Sequence, residues 1–157
     1  MVPPPDDAPP PVNIELTDAP PPETRDAILA PLLEFNAAQA GPSNARPLAI
    51  LLRRPGSDAV VGGLLGRTAG GMLFVELFFI PEDLRRGGLG RRLLAQAEEE
   101  ARRRGCHGAW LDTYSFQARG FYEKQGYTVF GEIRDYPPGH SRYFLSKRFA
   151  PAGASAG

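Results

Sequence analysis

Between Met72 and Thr113 the chain runs through an apolar strand candidate, a glycine-rich turn, an amphipathic helix candidate and a second apolar strand candidate. No other stretch limits the fold as tightly. A helix lying between two strands of one sheet makes them parallel, joined by a right-handed crossover. The helix candidate, Leu89 to Arg104, sets Leu89, Leu93, Leu94, Ala97 and Ala101 on one face. Glu98, Glu99 and Glu100 stand four residues ahead of Arg102, Arg103 and Arg104, the favourable order for ion pairs on a solvated helix face. Gly105 is placed to close the helix. Met72 to Ile80 is the longest strand candidate and Pro81 ends it; Ala109 to Thr113 is its expected parallel neighbour.

The remaining segments arrange themselves around that unit. Val12 to Leu16 alternates and reads as a short strand. Glu23 to Ala40 reads as a helix stopped by Gly41-Pro42, with Pro31 inside it predicting a kink or a break into two. Leu48 to Leu52 and Val60 to Gly66 form a hairpin, and Gly70-Gly71 turns the chain into the long strand. After the crossover come a short helix over Gln117 to Gln125, closed by Gly126, and two strands, Tyr127 to Ile133 and Arg142 to Arg148. The expectation is an α/β, α+β layered domain: a mixed, mostly antiparallel, seven-stranded sheet with helices on both faces. It spans residues 12–149. The proline-rich 1–11 and the small-residue tail 150–157 are expected to be disordered.

Composition narrows the function classes. The chain has 157 residues, with 18 Lys+Arg balanced by 18 Asp+Glu, so bulk attraction to nucleic acid or to an acidic membrane is not expected. No apolar run approaches the ~18 residues of a membrane span, and the first residues lack a basic start and an apolar h-region. A cytoplasmic protein is expected. Cys106, the single cysteine, excludes an internal disulfide and a multi-cysteine metal site; no metal is expected, and the thiol reads as inert and buried. The arginines at 85–92 and 102–104 could suggest a nucleic-acid patch, but the interleaved glutamates favour a solvated face.

Arg85-Arg86-Gly87-Gly88-Leu89-Gly90-Arg91 joins the long strand to the helix. Glycines there let successive N–H groups converge, and the helix dipole favours an anion among them. A plain strand-to-helix turn is the alternative. A Walker A loop needs Gly-Lys-Ser/Thr, and Gly90 is followed by Arg91-Arg92. A dinucleotide fingerprint lacks its third glycine, although Asp112 does stand about twenty residues on.

Arg85-x-x-Gly88-x-Gly90 after an apolar strand and a proline resembles the acyl-CoA-binding motif of the GNAT superfamily of N-acetyltransferases. Ala118-Arg-Gly-Phe121-Tyr122-Glu-Lys-Gln-Gly126-Tyr127 is similar to the same family's second signature. The order of elements matches as well, over residues 12–149. The resemblance implies a sheet splayed between its two central parallel strands, with acetyl-CoA as co-substrate in the gap. It implies that main-chain groups of Phe78, Phe79 and Ile80 pair with the pantetheine arm. It further implies that the loop from Arg85 through Arg86, Gly87, Gly88, Leu89, Gly90 and Arg91 takes the pyrophosphate. The family often places Asn seven residues before its tyrosine, in contact with the cofactor; here Ser115 stands there, with a shorter reach.

Tyr122 occupies the position of the family's common general acid. A phenol of pKa about 10 can protonate a departing thiolate of pKa about 8.5. An alkylamine of pKa about 10.4 needs about 4.6 kcal/mol to become a neutral nucleophile at pH 7, so a base near the acetyl carbon is useful. Glu76 is the only acid inside the long strand and, by simple alternation, shares a face with Phe78 and Ile80; an exposed surface glutamate is the alternative. His140 and Asp112 are further base candidates. The first helix, the turn following it and the segment Tyr136 to Arg142 are expected to form the acceptor end, with a plain hairpin connection as the alternative for that segment.

The implied function is direct acetyl transfer from acetyl-CoA to a primary amine of a small molecule or peptide, without a covalent enzyme intermediate. A CoA-binding regulatory module that has lost catalysis stands beside it, with a nucleotide-dependent oxidoreductase as a distant third. No nucleic-acid or membrane partner is expected. The sequence leaves the acceptor, the acyl-chain preference and the oligomeric state open, a homodimer included.

Overall fold

The computed structural model describes residues 9–151, so most of the expected disordered segments, residues 1–8 and 152–157, lie outside the described residues. The chain divides into two compact units between Gly41 and Pro42. In the first, helix α1 (Thr24–Ala40) runs as one element through Pro31 rather than as the two shorter helices that were one of the expectations. Val12 to Leu16, expected as a strand, has no regular structure, and its apolar side chains are exposed. A strand needs a ladder partner for its N–H and C=O groups, and this unit contains none among its described residues.

The second unit holds a mixed sheet of six strands among the described residues, one fewer than expected, in the order β1-β2-β3-β4-β6-β5. Its members are β1 (Arg46–Arg53), β2 (Val60–Ala69), β3 (Met72–Phe79), β4 (Gly108–Tyr114), β5 (Thr128–Arg134) and β6 (Ser141–Arg148). Only β3 and β4 run parallel; every other pair is antiparallel. The crossover between them is α2 (Leu89–Arg103), entered by a 3-10 turn at Glu82–Leu84, as the periodicity predicted. A second helix, α3 (Arg119–Lys124), links β4 to β5. Among the described residues no helix is long and apolar enough to cross a membrane.

Helix α2 buries Leu94, Ala97 and Ala101 in one core cluster with Leu64, Leu73, Leu111 and Leu145 of the sheet, and also buries Leu93 outside that cluster. Full burial of each such leucine contributes roughly 1.5–3 kcal/mol, so this one seam anchors the crossover. Glu98 departs from expectation: it is buried rather than on the solvated face. It accepts hydrogen bonds from the Tyr127 hydroxyl and the Lys147 ammonium of β6, each at 2.9 Å, while keeping a looser pair with Arg102 at 3.7 Å. At the helix C-terminus the Arg104 guanidinium donates to Glu100, to the Pro47 carbonyl and to Thr68, tying α2 to β1 and β2. Cys106 is buried, and that burial pushes its thiol pKa up, away from thiolate chemistry.

Candidate active site

The sheet opens at a defined rung. β3 and β4 pair from Met72–Gly108 to Val75–Leu111 and no further, although β3 continues to Phe79 and β4 to Tyr114. Each strand is still paired on its outer side, to β2 and β6 respectively. The inner edges beyond the rung therefore face a wedge-shaped gap, and their polar main-chain groups need partners there.

A β-bulge sits at the apex. Leu65 is opposite Leu77 and Gly66 is opposite Val75, so Glu76 is the extra residue. The bulge reverses the phase of alternation: Leu73 and Val75 point inward before it, and Phe78 is the half-buried residue after it, with Leu77 and Phe79 exposed. Simple alternation from Glu76 to Phe78 and Ile80, as expected from sequence, is thus corrected. Glu76 instead meets Arg67 of β2 at 3.4 Å, and that guanidinium also covers the Phe74 ring at 4.9 Å.

The bulge also decides which main-chain groups face the gap. The Phe79 carbonyl points at β2, where a Cβ on Gly62 would lie 2.7 Å from it. Alternation then turns the Phe78 N–H and C=O toward the gap. The Ile80 carbonyl is engaged, accepting from Arg85 Nε at 2.8 Å, and the Arg85 guanidinium lies 5.8 Å from the Phe79 ring. Of the three main-chain positions expected to pair with a ligand, Phe78 is thus the one offering both groups.

The glycine loop follows. Gly87 and Gly88 hold φ of +106° and +77°, the left-handed region that suits glycine, and Gly88 caps the N-terminus of α2. The first helical hydrogen bond runs from the Arg92 N–H to the Gly88 carbonyl. The N–H groups of Arg86, Gly87, Gly88, Leu89, Gly90 and Arg91 take no main-chain acceptor among the described residues. A Cβ on Gly87 or Gly88 would meet nothing within 4 Å, so the space before the helix is open. At Gly90 a Cβ would crowd Ile80 at 3.2 Å and Phe121 at 3.4 Å, which brings the loop, the end of β3 and α3 together. Six N–H groups without a main-chain acceptor, at the positive end of the α2 dipole and among arginines, are chemically suited to an anion such as a diphosphate.

Tyr122 of α3 is buried against Phe78, Phe121 and Tyr127, with ring centroids 6.4, 5.1 and 6.0 Å away. Burial, with the nearby Asp112 charge, pushes its pKa up to about 12. Its hydroxyl has no protein hydrogen-bond partner among the described residues, and no sealed polar side-chain atom there lacks one. The hydroxyl therefore touches open space. Ser115, expected at the cofactor, accepts through its hydroxyl from the Ser141 N–H at 3.1 Å and lies 3.4 Å from His140 Nδ1.

Sequence reading missed the partner of Asp112. Asp112 is the first β4 residue past the last rung, and Arg142 of β6 donates to it through Nε at 2.8 Å, with Nη2 2.7 Å from the same carboxylate oxygen. The signal available was the segment ending at Arg142, but only the strand register shows that it reaches Asp112. The same sheet face carries the Phe74–Trp110 stack, 4.1 Å between centroids, and the rings of Tyr114, Tyr136 and Phe144 around Arg142.

Residues 13–127 match the model of the acetyltransferase (GNAT) family. An acetyltransferase of Agrobacterium fabrum (strain C58), Atu2258, is 44% identical over 138 residues, covering 88% of this chain and all of that protein. A crystal structure from Agrobacterium tumefaciens, assigned as an acetyltransferase, superposes with a TM-score of 0.83 at 43% identity, over 88% of this chain and 100% of that one. Blasticidin-S acetyltransferase of Streptomyces morookaense is 43% identical over 89 residues, 56% of this chain and 65% of that protein. With the splayed strands, the glycine loop and the tyrosine helix in their expected order, the chain belongs to the GNAT family of acetyltransferases.

Proposed function

We propose that this enzyme transfers the acetyl group of acetyl-CoA directly to the nitrogen of a primary amine, on a small molecule or a peptide. The reading is supported by the end of β3–β4 pairing at the Val75–Leu111 rung, together with the N–H groups of residues 86–91 and the Tyr122 hydroxyl, none of which has a protein partner among the described residues. The loop amides would hold the diphosphate, and the Phe78 main chain would pair with the pantetheine amides. Bound acetyl-CoA supplies an activated thioester whose thiol is a good leaving group.

Each side chain then has a task. Tyr122 is protonated at any physiological pH and gives its proton to the departing sulfur. Its raised pKa makes it a weaker acid than a free phenol; a bound thiolate nearby would be the group to draw the proton out. Glu76, held at the apex by the bulge, removes the ammonium proton so that nitrogen can attack. Residues 12–149 would carry the whole activity. The relative named for blasticidin-S lends weight to a small-molecule acceptor, although it matches over 56% of this chain.

A thiol-release assay with acetyl-CoA and a panel of primary amines tests the reading. The expected outcome is amine-dependent thiol formation with stoichiometric N-acetyl product, and Tyr122→Phe lowering turnover about tenfold or more at unchanged acetyl-CoA affinity. A protein that binds CoA but releases no thiol with any amine is instead a CoA-binding module.

A further inference from the structure

We infer that the acceptor docks as its ammonium on the free carboxylate oxygen of Asp112, with its body against Tyr114, Tyr136 and Phe144. The substrate class is then a primary alkylammonium borne on a flat apolar or aromatic body. The inference rests on the acetyl-transfer reading above and specifies the acceptor side of that site.

Position is the first support. Val75–Leu111 is the last rung, so Glu76 and Asp112 are the first residues of their strands to enter the gap, and two carboxylates flank its apex. The geometry of the ion pair is the second. Arginine commonly engages both oxygens of a carboxylate in a fork. Here Arg142 Nε donates to Oδ1 and Nη2 lies 2.7 Å from that same oxygen, while Oδ2 has no hydrogen-bond donor among the described residues. The Asp112 side chain is only 18% exposed, yet no polar side-chain atom among the described residues is both sealed and unpartnered. Oδ2 therefore looks into open space from a nearly buried carboxylate.

The rings are the third support. Tyr114, Tyr136 and Phe144 stand 5.3, 5.5 and 5.5 Å from the Arg142 guanidinium carbon, and Arg142 Nη1 donates to the Tyr136 hydroxyl at 3.4 Å. They pin the guanidinium, which in turn pins Asp112, so the free oxygen has a fixed aim. Phe116 extends the wall, lying parallel to Tyr114 within 4° at 5.2 Å. Aromatic faces attract both flat ligands and cations, and ammonium groups benefit from a carboxylate set among them. The Arg142 charge moderates the hold on the ammonium, and Glu76 stands at the other side of the apex to take its proton.

The test compares two acceptors: 2-phenylethylamine, cationic at pH 7, and aniline, uncharged there. Asp112→Asn should raise KM for 2-phenylethylamine about 10- to 100-fold while moving KM for acetyl-CoA and the rate with aniline by no more than about threefold. The double variant Asp112→Asn with Arg142→Gln leaves no uncompensated guanidinium and should show the same selective loss, which keeps the test open if the single variant does not fold. A merely structural role would shift all three measurements together, and that result overturns the inference. So does an unchanged KM for 2-phenylethylamine, or a wild type that prefers aniline. A wild type that acetylates no amine overturns the proposed function as well, whereas an active wild type with an indifferent Asp112→Asn overturns only the docking site.

Discussion

Glu98 on α2 accepts the Tyr127 hydroxyl hydrogen at 2.9 Å inside the core, a bond between residues 29 positions apart. The Lys147 ammonium closes on the same carboxylate from β6 at 2.9 Å. Helix α2, strand β6 and the residue just ahead of β5 therefore converge on one buried charge. A buried pair is weak evidence of net stabilisation, but removing one partner leaves the others stranded. Glu98→Ala should cost about 3–5 kcal/mol in urea unfolding and Tyr127→Phe about 1–2 kcal/mol. A loss below about 0.5 kcal/mol for Glu98→Ala would show that water replaces the carboxylate.

Alkaline titration probes the same region. Burial raises the Tyr122 pKa to about 12, and burial with the Glu98 charge raises that of Tyr127 as well. In the unfolded chain both ionise near pH 10. Between about pH 10 and 12 the folded chain therefore holds protons that the unfolded chain has released, so stability present below pH 10 declines as pH rises through this window. Absorbance at 295 nm should show both rings still neutral at pH 11 while circular dichroism remains native, and Tyr122→Phe should remove one of the late-titrating groups. Complete tyrosinate formation at pH 11 in a folded protein contradicts the assigned burial.

The loop has its own test. Gly88 holds φ at +77°, where a β-branched residue is strained, and the space ahead of it is open to a ligand. Gly88→Val should weaken CoA binding at least about tenfold by calorimetry, through strain at the cap and loss of the amide array. Since a Cβ there meets no protein atom within 4 Å, the variant should still fold. Undiminished affinity in the folded variant would remove the diphosphate from this loop.

The elements visible in the sequence were those whose periodicity meets a single environment. Leu93, Leu94, Ala97 and Ala101 repeat with the helix and are buried as a group, and the crossover fixed β3 and β4 as parallel neighbours. The apex was not visible. Val75-Glu76-Leu77 looks like ordinary alternation, because a bulge is created by the partner strand's register and leaves no mark in the bulged strand itself. Glu98 was hidden by its neighbours: in a run of three glutamates only tertiary packing says which one turns inward. The Asp112–Arg142 pair needed the β4–β6 register, in which Tyr114 lies opposite Arg142 and Asp112 one step diagonal to it. Val12 to Leu16 failed in the opposite direction, since alternation makes a strand only where a ladder is available.

Glu76 provides the last test, and it separates a base from a surface ion pair. Its carboxylate is half exposed and meets Arg67 at 3.4 Å, a geometry that contributes little to stability. Glu76→Gln should therefore unfold within about 0.5 kcal/mol of wild type. If the carboxylate collects the ammonium proton, the variant's turnover should fall about 100-fold at pH 7 and recover steeply as the pH rises toward 9, because solution then supplies the neutral amine that the side chain no longer generates. Wild type should vary much less across the same range. The acetyl-CoA KM should stay constant throughout, since Glu76 lies at the apex while the proposed diphosphate site is the loop at the other end of the ligand. A variant that keeps wild-type turnover at pH 7 would make Glu76 an ordinary surface partner of Arg67 and shift the base role to Asp112 or His140.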